Sequence, residues 1–269
     1  MRLVVVFALL ALALPAQALA VVGGNAVHPG GYPYVVAVGD TSGAYCGGTL
    51  IAPAVVLTAA HCITGKPTAL QHLRVLAGSP VIRSDLARPD GLHVLGVTAV
   101  YVHPKFSEQS MHYDVALLVL DHAVAGVRTL PLADASPRAG STVSAAGWGA
   151  TREHGTSSPG HLRSVVLKLA TTTACTRGNA ILGRYFAPSM LCAGNPGRDT
   201  CSGDSGGPLV GTFAGHTALV GITSFGYGCA EDAHPGVYTR VSAIRAWALA
   251  QLGRIASAAP APLQPANPE

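Results

Sequence analysis

Apolar residues run through most of the chain in short stretches broken by Gly, Pro, Ser and Asp, a pattern that predicts β-strands joined by turns. Val35–Val38, Thr49–Ile51, Val55–Thr58, Leu73–Leu76, Val97–Val102 and Val115–Leu120 predict the strands of a first half. Val143–Ala146, Val165–Leu169, Pro208–Val210, Leu219–Ser224 and Gly236–Val241 predict those of a second. No alternation of strand and helix interrupts them, which favours a sandwich or a pair of antiparallel barrels over an α/β fold. The only sustained helical pattern lies near the C terminus. There Ser242 can cap a helix whose Ile244, Trp247, Ala248, Leu252 and Ile255 recur at three- and four-residue spacing. Gly253 weakens its last turns, and its apolar face is expected to pack on the protein's own core.

The two ends of the chain depart from this pattern. Residues 1–20 begin with Arg2, continue as an apolar run from Leu3 to Leu14, break at Pro15 and finish Ala18-Leu19-Ala20. This predicts a secretory signal peptide, because a membrane anchor needs ~20 apolar residues without such a break. A cut after Ala20 frees Val21, and Ala16-Gln17-Ala18 offers a second cut. Ser257–Glu269 is rich in Ala and Pro and is expected to be a flexible tail.

Composition narrows the function classes. With 269 residues, 49% hydrophobic and 11% charged, the chain can bury a core of one or two domains. The formal charge of +4 falls to +3 once Arg2 leaves, and no Lys/Arg run is interleaved with aromatics, so a nucleic-acid footprint is unsupported. Six cysteines in an exported chain suggest three disulfides, although spacing alone does not choose the pairing. Cys46, Cys62, Cys175, Cys192, Cys201 and Cys229 contain no C-x-x-C pair, which argues against zinc.

The candidate chemistry centres on Asp199-Thr200-Cys201-Ser202-Gly203-Asp204-Ser205-Gly206-Gly207-Pro208. A serine hydroxyl attacks only when a base takes its proton and nearby N–H groups stabilise the oxyanion, and glycines let a backbone turn supply those groups. Taken alone, Gly-Asp-Ser-Gly is more simply a turn, so distant partners decide. His61, in Thr58-Ala59-Ala60-His61-Cys62, follows a predicted strand, and Asp114 heads the apolar run Val115–Leu120. Either alone has an ordinary structural reading, as a surface histidine or a strand-start turn residue. Their order, His61, Asp114, Ser205, is that of the chymotrypsin triad.

The flanking residues carry a resemblance. Val-Val-Gly-Gly-Asn at 21–25, Thr-Ala-Ala-His-Cys, Asp-Val-Ala-Leu-Leu, Ala-Gly-Trp-Gly at 146–149, Gly-Asp-Ser-Gly-Gly-Pro and Pro-Gly-Val-Tyr-Thr-Arg-Val at 235–241 resemble the trypsin-like serine peptidases of the chymotrypsin fold. The similarity runs from Val21 to about Ala256. It implies an all-β fold of two packed antiparallel six-stranded β-barrels with a C-terminal α-helix. The first barrel is expected at about 21–125, the second at about 126–241 and the helix at about 242–256.

The same resemblance implies a secreted, monomeric serine endopeptidase in which Ser205 is the nucleophile, His61 the base and Asp114 the residue that orients it. The amides of Gly203 and Ser205 form the oxyanion hole, and Ser224 lies against Asp114. Asp199 sits at the floor of a pocket walled by Gly226 and Gly236, which implies protein or peptide substrates with Arg or Lys at the cleaved bond, the two left unranked because Thr200 replaces the usual serine. Ser224-Phe225-Gly226 is the edge that pairs with substrate, with Phe225 where tryptophan is usual and Met111 at the neighbouring subsite. The implied disulfides are Cys46–Cys62, Cys175–Cys192 and Cys201–Cys229. Protein protease inhibitors are candidate partners, and no membrane partner is expected after signal removal. No cofactor or metal is expected, since only Asp85 and Asp90 lie between Ala77 and Val97, too few acids for calcium. The α-amino group of Val21 pairs with Asp204 to order the site, and because Ala20 precedes it, signal removal itself is the expected activating cut. The alternative is a non-catalytic binding protein on the same fold, or a broad esterase.

Overall fold

In chain order the strands and helices are β1 (Asn25–Ala26), β2 (Val35–Asp40), β3 (Gly43–Ala52), β4 (Val55–Thr58), α1 (His61–Thr64), β5 (Arg74–Ala77), β6 (His93–Val102), β7 (Ala116–Leu120), β8 (Thr142–Gly147), β9 (Arg163–Leu169), α2 (Thr172–Gly178), β10 (Met190–Gly194), β11 (Pro208–Phe213), β12 (His216–Phe225), β13 (Gly236–Arg240) and α3 (Val241–Ala258). They come from a computed structural model that describes residues 21–65, 69–82, 93–155, 160–213 and 215–258. The expected signal peptide, Asp85, Asp90 and all of the tail beyond Ala258 lie outside the described residues.

β2-β3-β4-β7-β6-β5 close into one antiparallel barrel. β8 and β9 pair with each other and, through β10, β13, β12 and β11, complete a second ring, with β1 added on β9. Closure leaves no unpaired strand edge in either ring. The architecture is thus two six-stranded β-barrels followed by a helix.

The continuous apolar runs of the first half reflect burial on both faces. Along β2, Val36 and Val38 point into the first barrel, while Val35 and Ala37 join Leu76, Ala146, Trp148 and Leu162 in a core between the barrels. The second barrel is filled by Val21, Val143, Ala145, Val165, Leu167, Leu209 and Tyr238 among others. α3 buries Val241, Ile244 and Ala248 completely and packs Trp247, Leu252 and Ile255 on the core that contains the first barrel. It starts one residue before the serine expected to cap it and continues through exposed Gly253 to Ala258, so Ser257 is helical rather than part of a tail.

β1, β10, α1 and α2 have no counterpart in the expected elements. β10 reads Met-Leu-Cys-Ala-Gly, without a β-branched residue, and its burial between β9 and β13 removes any alternation. No helix among the described residues is long and apolar enough to cross a membrane.

Register positions the site. In the β4–β7 pair, Thr58 stands opposite Ala116. The chain leaving β4 and the chain entering β7 therefore meet at one end of the first barrel, where His61 and Asp114 lie.

Candidate active site

His61 opens α1, directly after the fully buried Ala59 and Ala60. Its neighbour Cys62 is bonded to Cys46 of β3, which fixes the turn to the barrel wall. The His61 backbone N–H donates to Asp114 Oδ1 at 2.9 Å, and His61 Nδ1 lies 2.7 Å from Asp114 Oδ2. Asp114 is fully buried, and a carboxylate there requires several donors. Ser224 supplies another, its Oγ donating to Asp114 Oδ2 at 2.5 Å, and Thr239 Oγ1 donates to the Asp114 carbonyl at 2.8 Å. A carboxylate on Nδ1 selects the tautomer that leaves Nε2 as an acceptor.

Ser205 is brought alongside through its backbone. Its carbonyl accepts from Gly47 N at 2.7 Å and lies 3.7 Å from Cys62 Sγ, which is itself 3.8 Å from His61 Nε2. Ser205 Oγ makes no hydrogen bond to His61 Nε2 in this structure; such contacts often close only with substrate bound. Around it the chain is tightly wound. Gly203 has φ +95° and Gly206 φ +81°. A Cβ on Gly206 would stand 2.2 Å from Thr58 Oγ1 and 2.4 Å from Gly47 O, so the turn demands glycine there. Among the described residues neither the Gly203 nor the Ser205 amide donates a hydrogen bond.

Asp199, Thr200, Ser202, Ser205, Ser224, Phe225, Gly226 and Gly236 line one cavity of about 210 Å³, together with Cys201, Thr223, Gly228 and Cys229. Asp199 is 3% exposed. It accepts from Thr200 N at 2.8 Å and Ala230 N at 3.4 Å, yet burial still pushes its carboxyl up to about 7. A Cβ on Gly236 would approach Asp199 Oδ1 to 2.7 Å, so only glycine leaves the carboxylate open to the cavity from that side. The Cys201–Cys229 disulfide braces the wall. Behind Asp199 lies a larger cavity of about 390 Å³, against Arg177, Arg198 and Pro235, which contains none of His61, Asp114 and Ser205. Met111 packs with Phe225 and Tyr185 around Cys175–Cys192, the third disulfide.

The trypsin family model matches residues 21–248, a span that contains both barrels and all of these groups. The chain belongs to the trypsin family. It is similar to trypsin epsilon of Drosophila erecta, 33% identical over 230 residues that make up 84% of this chain and 85% of that one. It is 36% identical to the trypsin of Saccharopolyspora erythraea over 83% of this chain and 94% of the other. With human serine protease 56 it shares 38% identity over 89% of its own length, but spans only 40% of that protein. The protein is thus a trypsin-family serine endopeptidase, an enzyme that acts on protein substrates.

In this trypsin-family chain Asp204 faces away from the Ser205 cavity. It is 1% exposed, takes Gly149 N on Oδ1 at 2.8 Å and Cys201 N on Oδ2 at 2.9 Å, and burial pushes it up to about 6. Its niche is shaped by two residues that sequence reasoning noted only as part of a motif. A Cβ on Gly147 or Gly149 would come within 2.2 or 2.4 Å of the carboxylate group. Strand alternation does not signal the pair, because Gly147 is the last residue of β8 and Gly149 lies in the loop after it. Val21 is fully buried in the second-barrel core, and Val22 bridges Asp199, whose N–H donates to its carbonyl at 3.2 Å. Here Val21 N is in a peptide bond with Ala20, and no hydrogen bond joins it to Asp204 among the described residues. A further contact was not anticipated: Tyr238 OH and Thr200 Oγ1, 3.1 Å apart, support the residue after Asp199.

Proposed function

We propose that this endopeptidase hydrolyses peptide bonds after Arg or Lys with His61, Asp114 and Ser205 as its catalytic residues. The observation that carries the proposal is the single cavity in which a buried, cation-seeking Asp199 and the Ser205 hydroxyl occur together. An Arg or Lys side chain brings its positive charge to Asp199 on an apolar stem, and this sets the following carbonyl beside Ser205. His61 Nε2 takes the Ser205 proton as Oγ bonds to the carbonyl carbon. Asp114, held on Nδ1, stabilises the imidazolium, and the unpaired Gly203 and Ser205 amides take up the oxyanion. His61 returns the proton to the leaving amine, and water releases the acyl group from Ser205 by the same steps in reverse. Ser224–Gly226 is the main-chain edge for the substrate strand, and Met111 with Phe225 lines the next subsite.

The chain is secreted on this reading, with residues 1–20 removed as a signal peptide. The freed α-amino group of Val21 then gives buried Asp204 the cation it lacks, and the loop carrying Gly203 orders around that pair. Two measurements test the assignment. A serine-directed phosphonylating reagent should label Ser205 and abolish activity. A peptide library should be cut after Arg and Lys; cuts after aromatic or small residues would overturn the role given to Asp199.

A further inference from the structure

Asp114 hangs from an unusual backbone. Tyr113 has φ +52° and Met111 φ +59°, left-handed values that residues with large side chains rarely adopt and that persist only when surroundings enforce them. Val115 N donates to Tyr113 O at 2.8 Å, so Asp114 is the central residue of a three-residue turn that the left-handed Tyr113 opens. Thr239 holds the Asp114 carbonyl, but this bond does not explain the left-handed residue before it.

What encloses Tyr113 is a stack of rings. His103 lies flat on the Tyr113 ring, with centroids 4.8 Å apart and planes 4° from parallel. Trp247 of α3 in turn meets His103 edge-on at 4.8 Å and 63°. Lys105 Nζ stands 5.5 Å from the centre of the Tyr113 ring. His103 is 7% exposed, its Nδ1 accepts from Lys105 N at 3.2 Å, and burial together with the Lys105 charge keeps its imidazole below the usual histidine range. It is a buried, neutral ring that the catalytic steps do not use.

We propose that the Trp247–His103–Tyr113 stack is the positioning device for Asp114: helix α3, through two rings, clamps Tyr113 in its left-handed conformation and so aims the aspartate at His61. This rests on the reading of Asp114 as the partner of His61 in catalysis. His103 and Trp247 are positioning residues and touch no substrate. The C-terminal helix therefore contributes to turnover as well as to closing the fold.

The test is kinetic, with kcat expressed per active site counted by burst titration, so that misfolded molecules do not enter. His103→Ala is expected to lower kcat by about 10- to 100-fold, as displacements of order 1 Å at a catalytic group do, with KM for a small arginyl substrate within about 2-fold of the parent. The acid limb of kcat/KM should move to lower pH, because the imidazolium loses part of its carboxylate support. His103→Phe, which restores a flat ring, should recover both. His103→Leu, filling a similar volume without an aromatic face, should behave as His103→Ala and replaces it if the smaller residue does not fold. In a Tyr113→Gly background, where a positive φ needs no clamp, His103→Ala should cost nothing further. Parent-like kcat and acid limb in His103→Ala or His103→Leu would overturn the proposal, as would failure of His103→Phe to recover them. Asp114→Asn is measured in parallel: if it keeps parental kcat, the reading of Asp114 itself falls, whereas a large loss there beside an inert His103 variant removes only the stack's role.

Discussion

Asp199 changes charge inside the pH range where such an enzyme is assayed, and that makes its proposed role measurable. Burial raises its carboxyl from 3.8 to about 7, and only the ionised form attracts a cation. About one tenth of the carboxyl is ionised one unit below this value and about one hundredth two units below. The inhibition constant of a small amidinium cation should therefore weaken about tenfold per pH unit between pH 7 and pH 5, and be flat above about pH 8. A folded-state value above the unfolded one means that the free protein binds this proton more tightly than the unfolded chain does. The contribution of Asp199 to stability is accordingly greatest at low pH and is lost as pH rises from 3.8 through about 7, by an amount on the order of 4 kcal/mol. A cation bound at Asp199 favours the ionised form and offsets that loss, so the rise in Tm at saturating ligand should grow from pH 5 to pH 8. Calorimetry in buffers of different ionisation enthalpy should register close to one proton released per ligand at pH 6. The measurement is made in a His61→Ala background, which removes the imidazole from the site, and Asp199→Ser should abolish the pH dependence together with most of the affinity. An inhibition constant that stays constant from pH 5 to pH 8 would refute the link between burial of Asp199 and cation recognition.

Replacing Ser205 or His61 by Ala should each lower kcat on an arginyl peptide amide by about 10⁶, and the double variant should lose little more, because the groups act as one unit. Gly206→Ala forces a Cβ against Thr58 Oγ1 and Gly47 O at φ +81°. It is expected to destabilise the fold by about 1–3 kcal/mol, read from urea unfolding, and to prevent labelling of Ser205. Protein that begins at Val21 should be at least about 10²-fold more active than protein that begins at Leu19, since only the former can present a buried amine to Asp204. N-terminal sequencing paired with burst titration checks this, and the active form should lose activity at alkaline pH as the amine, unperturbed at ~8 and raised by pairing with Asp204, discharges.

The first barrel was legible strand by strand because its runs are short, strongly apolar and bounded by turn residues, as in Val55–Thr58 and Ala116–Leu120. β10 escaped because a strand buried among strands needs neither alternation nor branched residues. The two short helices escaped for a different reason. α1 is a single turn stabilised by the Cys46–Cys62 bond beside it, and α2 depends on the Thr171 side chain accepting from Ala174 N at 3.1 Å and on Cys175–Cys192. Their stability is tertiary, and local periodicity does not record it. Spacing likewise says nothing of the left-handed Tyr113, because the rings that enforce it come from residues 103 and 247.

Both chemically distinctive acids of the Asp199–Pro208 stretch share one physical condition. Asp199 and Asp204 are buried, each takes two backbone N–H groups, and each is still pushed upward by burial, with no ion pair made to either carboxylate among the described residues. Backbone donors alone therefore do not offset the desolvation of either carboxylate. On the proposed reading the missing charges arrive from different sources, the substrate side chain at Asp199 and the Val21 terminus at Asp204. The unfavourable burial is what makes each a selective receptor, since a site already neutralised would gain nothing from a second cation. The bridge between Val22 and Asp199 joins the two, because the segment that follows the terminus is hydrogen-bonded to the residue that reads the substrate. That bridge and the cavity beside it are already formed while Val21 is peptide-bonded to Ala20, so what the blocked chain lacks is the charge at Asp204, and on the proposed reading it should be deficient in turnover while still binding the amidinium.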